Sequence, residues 1–125
     1  MLLDIVKIIN GYLLEYLTFN IEKINWDELS RNKHPDAIKL LMENPEKIEW
    51  FWLSGNTHPY AIKLLMGNPE KINWMKLSQN EHPDAINLLI ENPEKINWYN
   101  LSANKNVFLK NVEFCDEVFK ILHAL

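Results

Sequence analysis

The chain has 125 residues, 47% of them hydrophobic and 24% charged, and carries a formal net charge of −4. That length fits one compact domain and excludes a second of ordinary size. The acidic balance argues against nucleic acid as a partner, because phosphate affinity rests on clustered Lys and Arg.

The first stretch, residues 1–19, is apolar, but Asp4, Lys7, Asn10 and Glu15 interrupt it. It lacks the uninterrupted run of about 20 apolar residues that a membrane span needs. It also lacks the basic start and small-residue cleavage site of a secretion signal, so the expectation is no membrane association. Residues 10–17 align one period upstream of His34 to Leu41, which makes residues 1–19 a degenerate N-terminal cap.

From Asn20 onward the chain repeats itself every 24 residues. The rows cover 20–43 (NIEKINWDELSRNKHPDAIKLLME), 44–67 (NPEKIEWFWLSGNTHPYAIKLLMG), 68–91 (NPEKINWMKLSQNEHPDAINLLIE) and the shorter 92–106 (NPEKINWYNLSANKN). The first and third rows agree at 17 of 24 positions. All six prolines fall at two places in the row, Asn-Pro (Pro45, Pro69, Pro93) and His-Pro (Pro35, Pro59, Pro83). Proline suits the first position of a helix, where its missing N–H costs nothing, and it pushes the preceding residue into extended geometry. His-Pro-Asp-Ala-Ile-x-Leu-Leu therefore predicts a helix over about 35–43, closed by Asn44-Pro45, with equivalents in the next two rows.

The other half of each row allows two registers. Either a helix begins at Asn-Pro-Glu, or Pro-Glu-Lys-Ile is a turn and a short helix begins at the Asn before Trp. Asn25 followed three residues later by Glu28 has the pattern of a capping box and favours the second register. Beyond residue 106, Phe108, Val112, Cys115, Phe119 and Leu122 share one helical face, which predicts a C-terminal cap helix within 107–125.

Two short helices per row cannot bury their apolar faces alone, whereas stacked rows share a core. The expected fold is all-α, a short α-solenoid of two-helix repeats between two caps and a single domain over 1–125. Trp26, Trp50, Trp74 and Trp98 are expected as core filler between layers. Leu29, Leu53, Leu77 and Leu101, with Ile38, Ile62 and Ile86, are expected in the same core. A leucine-rich repeat is the rival fold, since its period includes 24. Its strand should alternate in polarity, and the I-x-W-x-x-L-S-x-N segment does not.

The motif N-P-E-K-I-N-W-x-x-L-S-x-N-x-H-P-D-A-I-x-L-L, over about 20–106, resembles the short helical repeats found in large protein families of giant DNA viruses that infect amoebae. Those repeats usually read Asn-Pro-Asn-Ala-Ile where this chain has His-Pro-Asp-Ala-Ile. The chain's bias toward lysine, asparagine and isoleucine agrees with an AT-rich genome. The resemblance implies a scaffold for protein contacts, not an activity.

The polar columns point the same way. His34, His58 and His82 read as helix N-caps rather than metal ligands. Packed helices lie about 8–10 Å apart, too far for equivalent imidazoles to share an ion bound at about 2 Å. The Ser30, Ser54, Ser78, Ser102 and Asn32, Asn56, Asn80, Asn104 columns read as hydrogen-bonding ladders. A catalytic Ser-His pair is singular and needs an oxyanion loop, whereas these residues recur in every row, so neither an enzyme nor a cofactor is expected.

Function is expected where the rows differ: the two residues after each Trp and the one after each His-Pro. There the second row carries Phe51, Trp52 and Tyr60, and later rows carry Met75 and Tyr99. These five are the candidate residues for a protein or peptide partner. The bland alternative is that Trp52 and Tyr60 cover each other or widen the core. A second function, self-association into a homo-oligomer through the caps, is suggested by Phe114, Val118 and Phe119. The lone Cys115 excludes an internal disulfide, and with the viral resemblance it places the expected site of action inside the host cell, in the cytoplasm or the virion.

Overall fold

The computed structural model describes residues 20–108 and 119–124. The N-terminal cap and most of the C-terminal cap, including Val112, Phe114, Cys115 and Val118, lie outside the described residues. Among the described residues helix is the only regular structure, and no strand forms, which removes the leucine-rich alternative.

Each row folds in one way. A single 3-10 turn comes first, at Ile21–Lys23, Pro45–Lys47, Pro69–Lys71 and Pro93–Lys95. A short helix then starts at the tryptophan: α1 Trp26–Arg31, α3 Trp50–Leu53, α5 Trp74–Ser78 and α7 Trp98–Ser102. A longer helix starts at the His-Pro proline: α2 Pro35–Glu43, α4 Pro59–Gly67 and α6 Pro83–Glu91. Of the two registers open to the first half of the row, the structure adopts the turn followed by a short helix.

Local chemistry explains the boundaries. Asn25, Asn73 and Asn97 sit in extended backbone, and their side chains accept from the N–H three residues on, at 3.0, 2.9 and 3.1 Å. These bonds satisfy a helix donor that would otherwise be orphaned. Glu49 occupies the same place in the second row without a side-chain cap, and α3 is the shortest of the four. His34, His58 and His82 cap the longer helices: each Nδ1 accepts from the N–H two residues on, at 3.1, 3.2 and 3.1 Å. These helices end at Asn44, Asn68 and Asn92, which the following proline holds out of helical geometry. The Asn side chains donate back to the carbonyls of Leu40, Leu64 and Leu88 at 2.8–2.9 Å, covering acceptors left open by the helix end.

Tertiary contacts run between equivalent elements. α1 packs on α3 and α5 on α7, α4 packs on α6, and within a row α1 packs on α2 and α5 on α6. One continuous core results, built from Leu53, Leu77 and Leu101, Ile38, Ile62 and Ile86, Leu41, Leu65 and Leu89, and Ile48, Ile72 and Ile96. The tryptophans take a different place from the one their spacing suggested. Trp26, Trp50, Trp74 and Trp98 are only partly buried and pack against the core from its margin. Lys71 reaches to 5.0 Å over the Trp50 ring and Lys95 to 5.9 Å over Trp74. Indoles are seldom fully buried, and in Trp50 and Trp74 the ring stays in reach of a lysine. Leu29 is likewise partly buried.

At the far end, Lys105–Phe108 forms another 3-10 turn and residues 119–124 are helical. The face that meets the core differs from the expected one. Ile121 packs against the core beside Ile86, Ile96, Trp98 and Leu101. Phe119 and Leu122 are exposed, and Phe119 stacks on His123 with ring centres 3.7 Å apart. The i+3/i+4 pattern is compatible with more than one facing, and contact with Ile96, Trp98 and Leu101 selects Ile121.

Candidate interaction surface

The side chains shared by all rows are consumed by the fold. Asn56, Asn80 and Asn104 are buried. The Asn56 amide donates to the carbonyls of Ser30 and Asn32 at 2.9 and 3.0 Å, while its Oδ1 accepts from His58 N–H at 3.0 Å. Asn80 repeats this toward Ser54, Asn56 and His82, and Asn104 toward Ser78, Asn80 and Asn106. Every such amide ties its row to the preceding one. The serines complete the stitch. Ser54 Oγ donates to the Trp50 carbonyl at 2.7 Å and accepts from Asn73 N–H, 19 residues on, at 2.9 Å. Ser78 does the same with Trp74 and Asn97, and Ser30 accepts from Glu49 N–H. Among the described residues no buried side-chain polar atom lacks a partner.

What is left for a partner lies in the columns that vary, and the structure divides them. The residue directly after each tryptophan points outward: Phe51 is 38% exposed, Met75 42% and Tyr99 88%. These three occupy the same position in consecutive rows. The second residue after Trp50, Trp74 and Trp98 behaves otherwise, because it meets the row before it. The Arg31 guanidinium lies 4.5 Å from the Trp52 ring centre. Gly55 leaves room for the Lys76 stem, whose Cγ and Cε would lie 3.2 and 3.1 Å from a Cβ at that glycine. Gln79 donates to Asn100 Oδ1 at 3.0 Å. All three are partnerships across 21 residues, Arg31 with Trp52, Gly55 with Lys76 and Gln79 with Asn100. Variation in this column is therefore variation in how adjacent rows fit.

Trp52 is accordingly half-buried and not a free anchor. Lys76 approaches its ring from the following row at 5.1 Å, and Phe51 stands edge-on to it at 4.8 Å. Tyr60 is 52% exposed and covers its own cap, His58, with ring centres 5.6 Å apart, and Lys63 lies 5.1 Å from its ring centre. The rings of Trp52 and Tyr60 are thus engaged separately. Of the five candidate residues, Phe51, Met75 and Tyr99 share one equivalent position, while Trp52 and Tyr60 belong to two other environments.

Nothing in the aligned columns singles out Arg31, Lys33, Gly55 or Lys76. No residue type recurs at the offset of 21 (Arg31 with Trp52, Gly55 with Lys76, Gln79 with Asn100), so the pairing is legible only in three dimensions. Among the described residues no group of three or more His, Cys, Asp or Glu side chains could hold a metal ion, and no helix is long and apolar enough to cross a membrane. Comparison with family models, with curated proteins and with solved structures yields no match in any of the three.

Proposed function

We propose that the chain is a short α-solenoid serving as a non-catalytic protein-interaction module, a viral protein that engages a host or viral protein or peptide through its variable columns. The observation that carries this reading is the set Phe51, Met75 and Tyr99, exposed apolar side chains at one position of consecutive rows on an otherwise constant frame. Large apolar side chains left at the surface are favoured anchors for a partner. The non-catalytic part rests on the occupation of the serines and histidines: Ser54 and His58 already hold backbone groups of the scaffold. The viral part, and an intracellular site of action in host cytoplasm or virion, rests on the resemblance of the motif to giant-virus repeats.

The solenoid itself has a direct test. Deleting residues 68–91 removes one whole row and joins Gly67 to Asn92, a junction equivalent to Gly67-Asn68. A nearest-neighbour stack keeps its helical circular dichroism and loses only part of its stability, whereas loss of cooperative melting overturns the reading. For the module, partner capture from amoebal lysate is compared between wild type and the triple variant Phe51→Ser, Met75→Ser, Tyr99→Ser. Equal recovery by a folded variant removes this surface.

The exposed Phe119 and Leu122 favour a second reading, assembly through the C-terminal end. Sedimentation at micromolar concentration decides it, and a strict monomer overturns it.

A further inference from the structure

Arg31, Lys33 and Lys76 line, together with Trp52, Gly55 and Asn56, a groove of about 230 Å³. We propose that this groove binds an acidic peptide segment, its carboxylates held by the three cations and a neighbouring apolar side chain laid on Phe51. The inference deepens the interaction-module reading and rests on it.

Charge is the first argument. The molecule carries a net −4, yet three cations converge here. Among the described residues only Arg31 of the three has a carboxylate partner, Glu28 at 3.5 Å, and that pair is exposed on both sides. An exposed pair of this kind is worth little and exchanges readily for another carboxylate.

Geometry is the second. The Trp52 ring gathers Arg31 from the row before, at 4.5 Å, and Lys76 from the row after, at 5.1 Å. A cation over a ring keeps its N–H groups available, since the guanidinium has five and the ammonium three. The ring thus holds the cations in place without satisfying them, which lowers the ordering cost when an anion arrives. Both cations also line the same groove as Lys33, so an anion seated there meets several like charges at once.

The groove is built by a substitution. Gly55 stands where the other rows carry Arg31, Gln79 and Ala103. A side chain there would meet Lys76 at 3.1 Å, so glycine both seats the lysine and keeps the groove open. Phe51, edge-on to Trp52 and 38% exposed, forms an apolar wall beside the cations, and Lys76 lies 5.5 Å over it as well. Cations beside an apolar wall suit a short segment that mixes acidic and apolar side chains. A long polyanion such as RNA would meet the acidic remainder of the surface, which favours the peptide.

The test is an array of short random peptides probed with wild type, with the charge variant Lys33→Glu, Lys76→Glu, with Gly55→Gln, and with Met75→Ser, Tyr99→Ser. Folding is checked by circular dichroism. The glutamine places at 55 the residue that the third row already carries at 79, so it fills the groove in a backbone that accepts it. The expected result is that wild type selects peptides rich in Asp and Glu that also carry an apolar residue. Both groove variants should weaken the best of these by about tenfold or more, and binding should fall as salt rises. Selection without acidic enrichment, lost only in Met75→Ser, Tyr99→Ser, overturns the inference and leaves the module reading standing. No selection by wild type overturns both. Tighter binding of single-stranded RNA than of any peptide, lost in the charge variant, overturns the peptide assignment.

Discussion

The interior stitch of asparagines and serines and the surface strip around Trp52 are built at the same joints between rows, yet they obey opposite rules. The stitch uses identical residues everywhere because each amide must satisfy two carbonyls and one part-buried N–H at the joint, and among side chains of this size asparagine offers that donor and acceptor set. The strip uses different residues at every joint, a cation on an indole, a lysine over a glycine, an amide on an amide, because at the surface several pairs fit and water tolerates them all. Identity thus marks places where a buried group would be orphaned, and variation marks places where the partner is a neighbouring side chain or something outside the chain.

The comparison breaks most sharply at Asn80. Asn80→Leu leaves the buried carbonyls of Ser54 and Asn56 and the part-buried His82 N–H unpaired, and at about 1–3 kcal/mol for each buried group the loss should reach about 4 kcal/mol in urea melts. A loss below about 1 kcal/mol would mean that the joint does not depend on the stitch. Next come the two apolar columns set apart by burial. Leu77→Ala should cost about 3 kcal/mol, as core truncations do. Trp74→Ala should cost about 2 kcal/mol, because much of the indole already meets water. A larger cost for Trp74 than for Leu77 would return the tryptophans to the core. His82→Ala removes an N-cap and should cost about 1 kcal/mol, most of it restored by His82→Asn, which supplies an equivalent acceptor. The surface pair should show the smallest effect. A double-mutant cycle of Arg31→Gln with Trp52→Asn, which copies the Gln79 and Asn100 partnership, should return a coupling of about 0.5–1 kcal/mol. Zero coupling would detach this column from row-to-row fitting.

Much of the local structure was legible in the residues themselves. His-Pro and Asn-Pro mark where the longer helices start and stop, Asn25 marks the start of the first short helix, and the Ile and Leu columns mark the core. These are effects of proline geometry, of a side-chain acceptor within three residues, and of helical spacing, all local in the chain. The candidate surface was legible only in part. Phe51, Met75 and Tyr99 stood out by their column, whereas the engagement of Trp52 by Arg31 and Lys76 did not. The choice of Ile121 over Phe119 and Leu122 was equally hidden, since it depends on core residues distant in the chain, Ile86, Ile96 and Leu101.

The amino-acid sequence by itself determined the helices, their caps and the 24-residue period, because each follows from torsional and hydrogen-bonding preferences acting over a few residues. Tertiary structure alone decided which carbonyl each asparagine reaches, why the tryptophans sit at the margin, and that residues 21 apart become neighbours. Those outcomes depend on how one row is displaced and rotated onto the next, a geometry fixed by the packing of the whole core.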